Sequence, residues 1–196
     1  MSGASFMELM DPLNAFSPTN HVYSSAGTFT ETIPIGATTL DIETWGPPGA
    51  GGSGNTFGIG TQGGGGGSGG YSHSSYTVTG HSGQTFTVTV GTPAFNSTVV
   101  NGTFTTAVNM SAPAGGNGGN STVGGGGAAG AAGAVGTGGN VANSAGNAGN
   151  KGSPASNGMG GPGVVGVHAT GPHGLRGNFN NSTNPAGPGY AVFHYV

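Results

Sequence analysis

A glycine at every third position is the feature that most constrains this chain. Between Gly115 and Gly139 eight of nine such positions are glycine, Ser121 being the exception, and the run has no charge and no proline. This period fits neither an α-helix nor a strand, whereas an extended threefold helix repeats every three residues. Bare glycine edges let such helices approach and exchange backbone hydrogen bonds. The pattern predicts packed polyglycine-II helices, with a flexible glycine-rich linker as the competing interpretation.

The same spacing returns elsewhere in other registers, which indicates several short segments rather than one long rod. Collagen needs an unbroken Gly-X-Y repeat with abundant proline, but here the register breaks and proline is absent from Ala114 to Ser153. The composition therefore argues against collagen. The further periodic positions are Gly46, Gly49, Gly52; Gly60, Gly63, Gly66, Gly69; Gly146, Gly149, Gly152; and Gly171, Gly174, Gly177.

Composition excludes several classes of function. The 196 residues include 47 glycines but only 2 Lys or Arg and 5 Asp or Glu, and two basic residues cannot form a nucleic-acid footprint. The absence of cysteine means that no disulfide supports the fold. The first 16 residues have no basic region and no long apolar run, so we expect neither a signal peptide nor membrane insertion.

Residues 1–21 form a separate N-terminal arm in this interpretation. Pro12 and Pro18 prevent a long helix. The arm's apolar side chains are expected to anchor it on a neighbouring protein, and the alternative is a disordered terminus. These side chains are Phe6, Met7, Leu9, Met10, Leu13 and Phe16.

Residues 22–196 are predicted to form a glycine-rich β domain of the all-β class. Strand-like alternation occupies about 22–45, 71–110 and 189–196, and glycine tracts occupy about 46–70 and 111–188. The simplest architecture is a small antiparallel β-sandwich, jelly-roll-like, with the glycine tracts as long insertions. Its expected core contains Phe29, Trp45, Phe86, Phe104, Tyr190 and Phe193, with a place in an interface as the alternative for Trp45.

Turn residues predict how the strands connect. Pro34 to Ala37 would join Thr28–Ile33 to Thr38–Trp45 in a hairpin, and Gly80 to Gln84 would form the next turn. Asn101-Gly102 is a two-residue hairpin signal within residues 98–110.

No motif predicts catalysis. Gly66 to Gly70 matches G-x-S-x-G, but the hydrophobic strand and helix that should flank a nucleophile elbow are missing. Asp41 and Glu43 share one strand face and are expected to keep a sheet edge solvated. His168 and His173 flank Gly171-Pro172, where they could meet an ion or symmetry-related histidines, or simply be exposed or hydrogen-bonded. We expect no enzyme activity and no cofactor.

The order of several motifs resembles the glycine-rich domain of bacteriophage tail-fibre, tail-tip and virion appendage proteins. The match covers about residues 22–196, with the strand Ser97 to Ala107 as an interruption of the usual pattern. The glycine tracts also resemble the polyglycine-II bundles of phage tail-tip adhesins. The motifs are the entry strand Tyr23 to Thr30, the turn Ile33 to Leu40, Trp45-Gly46, Gly69 to Tyr71, Gly83 to Gly91, Gly115 to Thr122 and the closing Gly187 to Phe193.

The resemblance implies a structural virion component, assembled in the host cytoplasm as a homo-oligomer, with a trimer expected. It implies neighbouring virion proteins as partners of the arm, and a host-surface receptor as a partner of the glycine-rich loops. An ice-binding polyglycine-II protein is the alternative function. Bulky residues in the breaks between glycine runs are the candidate receptor contacts: Phe57, Ile59, Met159, His168, His173, Leu175, Arg176 and Phe179.

Overall fold

The computed structural model describes residues 16–55, 61–153, 163–177 and 184–196, in which every regular element is a β-strand. No helix in these ranges could cross a membrane. The strands are β1 (Thr19–Tyr23), β2 (Gly27–Thr32), β3 (Thr39–Trp45), β4 (Tyr71–Thr77), β5 (Thr85–Val90), β6 (Ser97–Asn101), β7 (Asn109–Ala112), β8 (Ala142–Ser144) and β9 (Tyr190–Tyr195).

The strands form two antiparallel sheets, which confirms the predicted all-β sandwich. The five-stranded sheet has the order β1-β9-β3-β4-β8, and the four-stranded sheet has the order β2-β5-β6-β7. Alternation along each strand sends apolar side chains to the space between the sheets. This core includes Leu40, Ile42, Phe86, Val88, Phe104 and Phe193, and the partly buried Phe29 packs against it.

The predicted hairpin of β2 and β3 is wrong. These strands lie in different sheets, β2 beside β5 and β3 between β9 and β4. The turn after β2 carries the chain across the core, where Ile33 and Leu40 are both buried. Gly80 to Gln84 likewise connects strands of different sheets, β4 and β5.

The pairing of β6 with β7 is confirmed, although the loop between them is longer than a two-residue turn. Residues 102–108 separate the two strands, and Phe104 and Val108 from this loop are buried in the core. The Asn-Gly signal marks the end of β6 correctly. The loop is longer because Phe104 and Val108, which lie between the ends of the two strands in sequence, pack in the core.

The start of the sandwich differs from the predicted end of the arm. Strand β1 begins at Thr19 and pairs with β9, so residues 19–21 belong to the sheet. Phe16 packs against the core of its own chain. The other five apolar arm residues, Phe6, Met7, Leu9, Met10 and Leu13, lie outside the described residues.

The glycine tracts form a bundle around a central segment, residues 61–70, every residue of which is buried. N–H groups three residues apart in this segment donate to carbonyls of one neighbouring segment. Gly64 donates to Gly119 and Gly67 donates to Gly116, both at 2.9 Å. This repeat is that of packed polyglycine-II helices. The five described segments around it are 46–53, 113–121, 126–136, 145–152 and 171–177.

Carbonyls of the central segment are used with the same period. Gly127, Gly130 and Gly133 donate to Gln62, Gly65 and Ser68 at 2.8–2.9 Å. At Gly67 an added Cβ would lie 2.0 Å from the Ala131 carbonyl oxygen, so no larger residue fits without displacing backbone. Glycine is therefore a packing requirement of this segment rather than a source of flexibility.

Candidate functional site

The outer face of the five-stranded sheet carries a regular patch of aromatic and ionisable side chains. Antiparallel register places Glu43 between Val192 and His73, and Asp41 between His194 and Ser75. Trp45 lies in the next row, between Tyr190 and Tyr71, with ring centroids 5.5 and 5.2 Å away. Directly opposite residues share a face, so these three rows form one continuous surface.

A loop at residues 163–170 covers this patch and is held by the buried Glu43. The Glu43 carboxylate accepts hydrogen bonds from the backbone N–H of Val167 at 2.5 Å and of His168 at 2.7 Å. The Tyr71 hydroxyl donates a third at 2.5 Å, and Trp45 Nε1 donates to the Val164 carbonyl at 2.8 Å. Burial together with the Glu43 carboxylate raises the pKa of Tyr71 above the usual value. The contacts make Glu43 a structural anchor of the loop.

Asp41 lies among three histidines at the rim of the same patch. Its carboxylate is 3.1 Å from His168 Nε2 and 3.6 Å from His73 Nε2, and His168 stacks on His194 at 4.0 Å. Burial acts to raise the pKa of Asp41, but hydrogen bonds from Ser75 and His168 and the nearby histidines outweigh it and lower that pKa. Burial, followed by the neighbouring His168, lowers the pKa of His194.

A second buried carboxylate joins the two sheets inside the sandwich. Glu31 of β2 accepts hydrogen bonds from the hydroxyls of Tyr23 and Tyr195 at 2.6 and 2.8 Å, and its distance to His21 Nδ1 is 2.8 Å. Burial and the Glu31 carboxylate raise the pKa of both tyrosines. The Glu31 side chain is buried while that of His21 is 41% exposed, and the hydrogen bonds from β1 and β9 to β2 make the cluster a cross-link between the two sheets.

An open cleft of about 460 Å³ lies where the bundle meets the sandwich. Three prolines, Pro48, Pro172 and Pro188, form much of its wall. Its other lining side chains are Tyr190, Leu175, His173, Thr170 and Ser24. The volume falls within the range of small-molecule sites, roughly 300–1,000 Å³. The cleft thus combines apolar walls with the polar side chains of His173, Thr170 and Ser24.

The structure describes four of the eight candidate receptor contacts, and these four lie at two places. His173 and Leu175 line the cleft, and Arg176, the next residue after Leu175, is exposed. His168 instead lies on the covering loop and contacts Asp41. The remaining four, Phe57, Ile59, Met159 and Phe179, lie outside the described residues.

Two expectations about ionisable residues are affected. The prediction that Asp41 and Glu43 keep a sheet edge solvated is wrong, because β3 is an inner strand and Glu43 is completely buried. His168 and His173 have separate partners, Asp41 and the Gly163 N–H. Within the part of the chain that the structure describes, no group of three or more His, Asp or Glu side chains could hold a metal ion.

Sequence reasoning missed the anchoring role of Glu43 and the contribution of prolines to the cleft. The alternation of β3 puts Glu43 on the side opposite Leu40 and Ile42, which indicates solvent rather than burial, so the strand itself carried no signal of this role. The donors come from 124 and 125 residues further along the chain, and no local pattern reveals them.

Fold and surface together define a β-sandwich protein with a glycine-helix bundle packed onto it. The family model described as "Glycine-rich domain" matches residues 24–195, and the chain belongs to this family. A comparison with curated proteins finds no match. Family membership gives the domain type, and function is argued from the surfaces described above.

Proposed function

We propose that the protein is a non-enzymatic structural component of a bacteriophage virion, in a tail fibre, tail tip or capsid-surface appendage. The observation that carries the proposal is the bundle with the fully buried central segment 61–70. Its hydrogen bonds to several neighbours leave that segment little freedom, so the bundle can present surface residues on a rigid support. Rigid presentation reduces the entropy cost of binding.

In this proposal the protein forms a homo-oligomer, expected to be a trimer, and the N-terminal arm contacts neighbouring virion proteins. Exposed apolar side chains support self-association: Ile35 is 81% and Phe95 69% exposed. Contiguous exposed apolar patches mark protein–protein contacts, and in this proposal the two side chains belong to such contacts. Light scattering after size exclusion should give three times the chain mass of 18.5 kDa. Phe95→Ser should weaken the oligomer, and Thr28→Ser, an exposed control, should not.

Attachment to a host-surface receptor is the proposed role of the cleft-side residues. Purified protein should compete with the phage particle for adsorption to host cells, and Arg176→Ala or His173→Ala should reduce competition. Lys151→Ala, an exposed change on another segment, is the control. Cryo-EM of the particle tests the wider proposal: density for the bundle pointing outward supports an appendage, whereas absence of the protein from purified particles contradicts it.

Ice binding is a second candidate because one glycine segment exposes a row of small apolar side chains. With three residues per turn, Ala129, Ala132 and Val135 of segment 126–136 share one face, and all three are exposed. If this surface orders ice-like water, the purified protein should show thermal hysteresis, and Ala132→Lys should remove it. If a solution of the protein shows no thermal hysteresis, the ice-binding proposal is contradicted and the virion proposal remains as the explanation of the bundle.

A further inference from the structure

The cleft between the bundle and β9 has walls of defined chemistry. Among its lining residues none is Asp, Glu, Lys or Arg. An ion bound there would lose hydration without gaining a charged partner, which is costly. The lining therefore favours an uncharged ligand.

The polar groups of the cleft suit a ligand with hydroxyl groups. Ser24 and Thr170 each offer a hydroxyl that can donate and accept. His173 Nδ1 accepts a hydrogen bond from the Gly163 N–H at 3.1 Å, so the neutral ring carries its hydrogen on Nε2 and can donate from that atom. These groups match the mixed donor and acceptor character of ligand hydroxyls.

The remaining wall is apolar and held in place. The Tyr190 ring packs on buried Trp45 with centroids 5.5 Å apart, and the prolines of the wall have fixed φ angles. Two hydrogen bonds hold the Leu175 backbone: its N–H donates to the Gly49 carbonyl at 3.2 Å, and its carbonyl accepts from the Gly66 N–H at 2.8 Å. A preformed wall of this kind can contact the C–H face of a ring without paying for rearrangement.

We propose that this cleft binds a neutral saccharide. A sugar ring combines apolar C–H faces with hydroxyls and carries no charge, and the cleft volume of about 460 Å³ can hold one or two rings. The inference deepens the proposed attachment function. Only one part of it rests on that function, namely that the saccharide belongs to a glycan on the host surface. Tyr190 and the prolines contact the ring, and His173, Thr170 and Ser24 bind its hydroxyls.

Gly187 provides a variant that tests the site by filling it. It lines the cleft, and an added Cβ there meets no heavy atom within 4 Å. Gly187→Leu should therefore preserve the fold while occupying the cleft. Ala132→Leu, on the exposed face of the bundle, is the matched control. Thr170→Val supplies a second variant, which removes one hydroxyl with little change of shape.

The experiment is a titration of the full-length protein with a panel of neutral di- and trisaccharides of glucose, galactose and N-acetylglucosamine. Binding is detected by NMR or calorimetry. We expect saturable binding of at least one, weakened about tenfold or more by Gly187→Leu and severalfold by Thr170→Val, and unchanged by Ala132→Leu. Emission of the single tryptophan, Trp45, checks that each variant is folded.

Failure to bind every neutral saccharide in the panel, or binding that Gly187→Leu leaves unchanged, would overturn the inference. So would preferential binding of a sialylated sugar or of a proline-rich peptide. Host adsorption is measured separately: saccharide binding by a protein that does not compete for adsorption supports the cleft and contradicts the attachment role. Competition that survives Gly187→Leu supports attachment and contradicts attachment through the cleft.

Discussion

The Tyr71 hydroxyl donates a 2.5 Å hydrogen bond to Glu43 on the neighbouring strand, beneath the loop that covers the sheet. The same carboxylate accepts the N–H groups of Val167 and His168. A single buried side chain thus connects the sandwich to residues more than a hundred positions further along the chain. This arrangement explains how a glycine-rich insertion is fixed to the sheet from which it departs.

Glu43→Ala should detach the covering loop. Three donors would lose their acceptor, and buried donors without partners each cost about 1–3 kcal/mol, so we expect a loss of at least about 3 kcal/mol in the free energy of unfolding. Glu43→Gln, which keeps one oxygen, should cost less. Urea unfolding measures both, and hydrogen exchange should show faster exchange of the Val167 and His168 amides.

Thr39→Ala on the same strand is the control for this prediction, because Thr39 is exposed. Its effect should remain within about 0.5 kcal/mol. Unchanged exchange of the two loop amides in Glu43→Ala would contradict the anchoring role of the carboxylate.

Gly171→Ala should disturb the environment of Trp45. An added Cβ at Gly171 would lie 2.0 Å from Trp45 Cδ1, so either the indole or the loop backbone must move. Trp45 is 1% exposed, and its displacement should shift the fluorescence emission to the red and increase quenching by acrylamide. Gly187→Ala, at an open position, should leave the emission unchanged. A spectrum of Gly171→Ala identical to that of the unmodified protein would contradict the close packing.

Sequence periodicity predicted the threefold glycine helices and the strands. Which strands share a sheet was determined by long-range pairing. The triplet glycines indicated threefold helices, and alternation indicated the strands, because both patterns are local. Which sheet β2 and β3 join depends on pairing with β5 and β9, which lie far away in sequence. The same limit hid the site: His173 and Leu175 could be proposed as contacts, but Pro48 and Tyr190 meet them only through folding.

Acid should destabilise the protein in two steps. The pKa of His194 is lowered in the folded state, so protons bind the unfolded chain more tightly and stability falls as pH drops below the unfolded value of about 6.5. The pKa of Asp41 is also lowered, so its contribution is present above about pH 3.9 and is lost as pH falls through the lower folded value.

Urea midpoints measured at a series of pH values should separate the two steps. His194→Gln should flatten the decline between about pH 7 and pH 5, and Asp41→Asn should flatten the decline below about pH 4. His81→Gln is a matched histidine control, since His81 lies outside the cluster and its side chain contacts Gln84 and Phe104 instead. Equal slopes for His194→Gln and the unmodified protein would contradict the assignment of the upper step.

The same substitution at two glycines should have opposite consequences for stability. At Gly67 the added methyl would lie 2.0 Å from the Ala131 carbonyl oxygen, within a segment surrounded by bonded neighbours, so the backbones must separate. Gly67→Ala should lower the free energy of unfolding by about 3 kcal/mol or more, at or above the upper end of ordinary overpacking. At Gly187 the methyl meets open space, and the reduced freedom of the unfolded chain should make Gly187→Ala neutral or stabilising by about 0.4–1 kcal/mol. Urea unfolding of both variants decides the matter: if Gly67→Ala is as stable as Gly187→Ala, glycine acts in the central segment as a flexible residue and the packed bundle is wrong.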